Sequence, residues 1–382
     1  MPLPSHRLHR LSIAATLLVL AGLVHAGTFV YVSDSEDGDV ATYRLDTATG
    51  ALQPGPRAPA AKLVMPMASL PAKGLLYAAA RSKPYTLFTY RIDPASGQLS
   101  ALPPSPLPES MVNIAVDPTG RFLFGAAYGA NSASVSPIGA DGTVGQPSQY
   151  FATGGVKPHK VHGDNSGRFV YAPHLGTDEI REYRLDTAQG RLEPLDPPAV
   201  KLPPGTGPRH FAISPDNRFY YQLSQLSGTI TVLAIQPDGT LKLVREVSAL
   251  PAGHKLVRGE PRPPVSDPSG VSPENDDNVI WTADIHMTPD GRFLYVSERT
   301  TSSLNAFGVD PATGELRFIG SYPTEKQPRG FAIEPDGRFL IAAGERSTAL
   351  SVYRIQPDGS LALAGKAPVG KGANWVEVVK LP

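Results

Sequence analysis

Histidine and arginine recur in this chain in short motifs that could carry proton transfer. His159 and His162 stand in Pro-His-Lys-Val-His, Arg209 and His210 in Gly-Pro-Arg-His, and Asp284 and His286 in Ala-Asp-Ile-His. Arg299 follows in Glu-Arg-Thr and Arg329 in Gln-Pro-Arg-Gly. An imidazole titrates near neutrality and can take a proton from water. A guanidinium keeps its charge and can hold an oxyanion as it forms. His159 is the first choice for such a base, with His286 and its neighbour Asp284 as the rival pair. His162, His210, Asp284 and His286 are also suitable metal ligands, but no local spacing signature joins them, and neither a metal nor another cofactor is expected. With no cysteine in the chain, thiolate catalysis and disulfides are excluded. No Gly-x-Ser-x-Gly elbow is present, so a serine acyl-enzyme is not suggested either.

The elements that position these residues are strands. In Trp281 to Leu304, Asp284 and His286 alternate with Ile285 and Met287, the period of a strand with two different neighbours. Thr-Pro-Asp-Gly-Arg292 then makes a tight turn into the apolar run Phe293 to Val296. That hairpin recurs. Its apolar markers at 29, 75, 122, 169, 219, 293 and 339 lie 46, 47, 47, 50, 74 and 46 residues apart, so one unit repeats seven times. A second turn follows in each unit, as in Asp93-Pro-Ala-Ser-Gly97 or Pro357-Asp-Gly359. Two hairpin turns and their links make four strands per unit, labelled a to d, and seven such units without a helical pattern predict an all-β, seven-bladed β-propeller of antiparallel strands. The first unit lacks strand a, and the tail Asn374 to Leu381 is a spare alternating strand, so the C-terminus is expected to complete blade one and close the ring.

If every strand a starts on one face of the disc, the d-to-a links and b-to-c loops share that face, and the Pro-Asp-Gly turns lie on the other. Aligned on their turns, the inner strands put Asn113, Lys160, His210, Asp284 and Gly330 at one level and Ala115, His162, Ala212, His286 and Ala332 two residues on. The residue between them is always apolar, so the polar set must line the central channel. His159, Arg209 and Arg329 come one step earlier, at the mouth, where the b-to-c loops add Gln225, Arg299 and Arg346. Mouth residues of this kind are expected to pack little. Their cationic excess predicts an anionic or polar ligand.

Residues 1–26 read as a signal peptide, with a basic start, an apolar run from Leu11 to Val24 and small residues before Gly27, so a periplasmic location is expected. Residues 27–382 then form one propeller, and its core needs no second domain. An insertion at about 245–280 separates blades five and six and is polar and Pro-rich, which marks a functional or mobile loop. Lys plus Arg equals Asp plus Glu at 35 each, with no run of like charge, so neither nucleic acid nor a stable membrane association is expected. Composition carries no information on oligomeric state.

Gly207-Pro-Arg-His210, Trp281 to Gly291, Glu298-Arg-Thr300, Pro323 to Phe331, Leu340 to Gly344 and the closing Trp375-Val resemble the seven-bladed propeller lactonase family, over essentially the whole of residues 27–382. The resemblance is to its propeller-type 6-phosphogluconolactonases and, for an exported chain, to periplasmic gluconolactonases. It implies an exported carboxylic ester hydrolase that converts a sugar lactone such as glucono-1,5-lactone to the aldonic acid. The family's histidine falls on His159, its arginines on Arg209 and Arg299, and its glutamate on Gln225, which cannot act as a base. His162, His210, Gln225 and Arg329 are then expected to bind substrate. The family also holds a carboxymuconate-cyclising branch, and two alternatives accompany the main reading: 6-phosphogluconolactone as substrate, or a non-catalytic propeller binding a small anion or a protein.

Overall fold

The computed structural model describes Met1, residues 27–262 and residues 278–381. The signal-peptide reading of residues 1–26 therefore falls almost wholly outside the described residues, as does the middle of the insertion. The regular secondary structure of the rest is nearly all strand, arranged in seven antiparallel sheets that form the blades of a ring. The innermost strands, a, are Ala373–Lys380 for blade one, Val64–Leu70 for two, Asn113–Val116 for three and His162–Gly163 for four. Blades five, six and seven contribute Pro208–Ile213, Thr282–Met287 and Gly330–Ile333.

The reason for a ring lies in strand b of each blade, which is apolar on both faces. In blade one, Phe29 and Tyr31 pack against blade two, while Val30 and Val32 pack against blade seven. In blade six, Phe293 and Tyr295 meet blade seven and Leu294 and Val296 meet blade five. Each of the seven buried clusters thus fills the space between two neighbouring blades. A single blade would leave both of its faces in water.

The repeated turns interlock these interfaces on the face away from the channel mouth. A Cβ added at Gly97, which has φ +74°, would lie 2.2 Å from the ring of Phe29 in the preceding blade, and one at Gly239 would lie 2.2 Å from Phe169. Glycine is therefore needed twice over at these turns, for its left-handed backbone and for the approach of the aromatic ring. The hydroxyl of Tyr31 donates to Gly97 O at 2.9 Å, and that of Tyr295 donates to Gly359 O at 2.9 Å. The Gly-Arg-Phe-x-Tyr repeat is therefore a device for locking one blade to the next.

Blade one is completed by the C-terminal strand. Ala373–Lys380 pairs with Thr28–Asp34 from Thr28↔Lys380 to Ser33↔Trp375, with a bulge before Ala373. Strand d of blade five runs on to Ser248, so the connection to blade six begins later than position 245. Ending the chain at Lys371 would remove a whole inner strand and expose the edge of Thr28–Asp34. We expect such a truncated protein to lose its sharp thermal transition, followed by circular dichroism; a melt as cooperative and as high as that of the full chain would contradict this closure.

Candidate active site

Bulges in the inner strands set the direction of the side chains at the mouth. In blade five the pairing passes from Pro208↔Ser224 to His210↔Leu223, which leaves Arg209 as an extra residue. In blade six it passes from Thr282↔Glu298 to Ile285↔Val296, with the shift at Ala283 and Asp284. A bulge re-aims a side chain that regular alternation would point elsewhere. Arg209 thus turns across to blade six, where Nη1 donates to Ala283 O.

Arg299, just after strand b of blade six, lies flat on Trp281 with its guanidinium carbon 3.9 Å from the ring centre. Its Nε donates to Trp281 O at 3.1 Å, and Nη2 donates to Gln225 Oε1 at 2.9 Å and Thr282 O at 3.3 Å. Arg329 pairs with Glu345 at 3.4 Å. His159, ahead of strand a of blade four, has its ring centre 5.6 Å from Tyr128 and 5.3 Å from His210, edge to face with both. Its Nδ1 is buried without a hydrogen-bond partner, as is Nε of Arg209.

The expectation that mouth residues pack little is wrong. Arg209, Arg299 and Arg329 are 1%, 4% and 8% exposed. The connection from blade five to blade six accounts for part of this cover: Tyr128 of blade three donates to Arg262 O at 2.8 Å, and the Arg262 guanidinium lies 3.7 Å from the Trp281 ring centre. Among the described residues, Arg209 and Arg299 are held by carbonyl and amide oxygens, not by carboxylates. Burial, and then neighbouring guanidiniums, lower the affinity of both for their protons. The same two causes, with His210, push His159 well below the ordinary histidine value. A neutral imidazole therefore stands beside cations that an anion would stabilise.

The b-to-c loops add Arg81 to the residues expected at the mouth and correct one of them. Arg81, Gln225, Arg299 and Glu345 occupy one structural position, each donating its backbone N–H to the link that precedes its own strand a. Glu345, and not Arg346, is the blade-seven member. Arg81, partly buried and lowered to about 10 by desolvation and then by Arg329, adds a further cation to the mouth. Its place directly after the apolar run Leu75 to Ala80 was the available signal.

The remaining predicted residues lie deeper. His210 Nδ1 is 2.8 Å from Asp284 Oδ1 and His286 Nε2 is 3.1 Å from Asp284 Oδ2. Burial alone would raise the Asp284 carboxyl, but the two imidazoles outweigh it and hold the group well below the carboxylate range. His162 contacts the edge of Phe211 and keeps Nδ1 on Gly163 O at 2.7 Å. The structure thus divides the nine residues: His159, Arg209, Gln225, Arg299 and Arg329 meet at the mouth, and His162, Asp284 and His286 line the channel, with His210 between. Among the described residues, no three His, Asp or Glu side chains are arranged to hold a metal ion.

Replacing Arg299 by alanine removes three hydrogen bonds and a stacked, buried side chain. We expect Arg299→Ala to lower unfolding free energy by about 1–3 kcal/mol in urea titrations. Arg338→Ala removes a half-exposed guanidinium from Asp336 and from the buried Glu334 on the far face, and because Glu334 keeps its backbone N–H donors the cost should be no more than about 1 kcal/mol. Equal effects would contradict the burial of Arg299.

Comparison with known proteins agrees with this architecture. The profile of the family described as "Lactonase, 7-bladed beta-propeller" matches residues 24–378. The 6-phosphogluconolactonase of Serratia proteamaculans is 39% identical over 258 residues, 67% of this chain and 71% of that protein. That of Pectobacterium carotovorum is 39% identical over 260 residues, 68% of this chain and 71% of its own length. Among solved structures, the periplasmic gluconolactonase of Pseudomonas aeruginosa superposes with a TM-score of 0.80 at 28% identity, covering 93% of this chain and 99% of that one. With the profile spanning nearly the whole ring, the chain belongs to the seven-bladed β-propeller lactonase family, a family of lactone-hydrolysing enzymes.

Proposed function

We propose that the protein is an exported lactonase that hydrolyses an unphosphorylated aldonolactone, such as glucono-1,5-lactone, to the aldonic acid. The observation that carries this reading is the pair of buried guanidiniums, Arg209 and Arg299, without carboxylate partners beside the neutral imidazole of His159. His159 takes a proton from water as the water oxygen bonds to the lactone carbonyl carbon. The carbonyl oxygen becomes an oxyanion, which Arg209 and Arg299 hold, while Arg329 contacts the ring substituents. Collapse breaks the bond from the carbonyl carbon to the ring oxygen, and that oxygen leaves as a hydroxyl with the proton from His159. Gln225 orients Arg299 through its amide oxygen without neutralising it, so the cation stays available to the intermediate. An aldonolactone is an activated ester, and this set needs no serine nucleophile.

Export is supported by the apolar segment near the start of the chain and by the likeness to a periplasmic gluconolactonase. Among the described residues no helix is long and apolar enough to cross a membrane.

The lowered His159 group fixes the sign of the pH dependence. An imidazole with a depressed pKa stays unprotonated below pH 6.5, so the acid limb of kcat/KM should fall below 6.5. Arg209→Met removes a neighbouring positive charge; it should move that limb up toward 6.5 and lower kcat/KM by about 10²-fold or more. A pH-stat assay with spontaneous hydrolysis subtracted measures both, and an unmoved acid limb would withdraw His159 as the base.

A second reading, 6-phosphogluconolactone as substrate, is favoured by the names of the curated relatives and by the further cation Arg81. The ratio of kcat/KM for the two lactones separates the readings. We expect the unphosphorylated lactone to be preferred; an equal or greater value for the 6-phosphate decides for the second. Absence of turnover on both would leave a non-catalytic anion-binding propeller.

A further inference from the structure

Below the mouth, the central channel widens into a cavity of about 220 Å³ to which none of His159, Arg209, Gln225, Arg299 or Arg329 contributes. It opens away from the mouth: along the inner strands, side-chain exposure rises from 3% at His210 and 9% at Asp284 to 39% at His286. Six blades supply polar groups to its wall, including Glu377 and Ser69 from blades one and two.

The hydrogen bonds already made in this wall show what is left to offer. His162 has Nδ1 on a carbonyl oxygen, His210 has Nδ1 on Asp284, and His286 has Nε2 on Asp284. Oxygen acceptors require the proton to sit on those nitrogens, and burial keeps His162 and His210 neutral, so the other nitrogen of each of these two rings is an acceptor. Nε2 of His210, a residue 2% exposed, is buried without a partner. Glu377 receives the Trp375 indole N–H at 3.0 Å and the Ser69 hydroxyl at 3.0 Å, which leaves the Ser69 oxygen as an acceptor too. Donors are fewer. Lys160 spends one N–H on Phe211 O at 3.0 Å and lies 4.6 Å from the Phe211 ring centre, and Asn113 accepts the Val161 N–H through Oδ1, which keeps its amide N–H group for a ligand.

An acceptor-rich wall, with two carboxyl groups and the single ammonium of Lys160, suits an anion poorly, because an anion's oxygens only accept. Hydroxyl groups match it, because each donates one hydrogen bond and accepts others. Trp375 adds an apolar surface for a ring's carbon face. At about 30 Å³ for each water, the cavity holds about seven waters, the scale of one sugar ring with its hydroxyls. We propose that this cavity is a second binding site, separate from the lactone site, for a neutral polyhydroxylated molecule of one pyranose ring. The proposal does not rest on the hydrolytic reading, since its ligand contains no lactone bond.

The test is isothermal titration of the protein with D-glucose, and separately with D-gluconate. We expect one D-glucose per chain at a dissociation constant in the millimolar range, with D-gluconate at least about tenfold weaker. Ala115→Phe, which fills the cavity, should abolish the heat of binding, and Glu377→Gln should weaken it about tenfold. Circular dichroism establishes that each variant is folded; should Ala115→Phe fail to fold, Glu377→Gln carries the test. No heat with wild-type protein up to about 50 mM D-glucose overturns the proposal. So does binding that survives both substitutions, which places the sugar elsewhere, or D-gluconate binding as tightly as D-glucose, which refutes the ligand class.

Discussion

Everything else in this molecule depends on the antiparallel pairing of Ala373–Lys380 with Thr28–Asp34. Each blade has a middle strand that is apolar on both faces, so no blade is stable without two neighbours, and an open row of blades would always leave two faces bare. Joining the last strand of the chain to the first removes both. The same pairing brings Trp375 and Glu377 into the channel beside residues from five other blades. Closure and site construction are thus one event.

A closed ring has a cost at its axis. Inner strands from seven directions converge there, and the polar residues that face inward cannot all reach water. At the mouth, Arg209 and Arg299 are held by carbonyl and amide oxygens, which return only part of the free energy the cations lose on leaving water. The surrounding ring, locked turn to turn by Phe, Gly and Tyr, is rigid enough to keep them in place. In the proposed mechanism, that electrostatic cost is what an anionic intermediate would relieve, since it would supply a counter-charge. Deeper in the channel the balance is different. Asp284 joins two imidazoles, Glu377 is hydrogen-bonded by Trp375 and Ser69, and few charges remain without a partner. Two environments of opposite character sit within one channel, with His210 between them.

Strand count, blade number, the closing strand and the face that carries the arginines could all be read from the sequence. The period of about 47 residues and the two turn types follow from local chemistry: Gly at a left-handed turn, Pro before it, and two-residue alternation in the strands. Such features are legible because neighbouring residues along the chain decide them. Alignment of the inner strands likewise placed Asp284 and His286 on the channel side and Ile285 between blades, since alternation is a local property as well.

Burial at the mouth was not legible. Whether Arg209 is exposed depends on the bulge at Pro208 and His210 and on Arg262 reaching Tyr128 from another part of the chain, and no local pattern encodes either. Arg81 stood at a position that could have been read, directly after an apolar run, whereas Glu377 joins its cluster only when blades far apart in sequence are brought around the ring. Periodicity and turn chemistry along the chain are enough to specify the propeller, its closure and the face of the disc that holds the cations. Which of those side chains are desolvated, which find a counter-charge and which cavity they line is settled by the closed ring, because desolvation and pairing are set by distances across it.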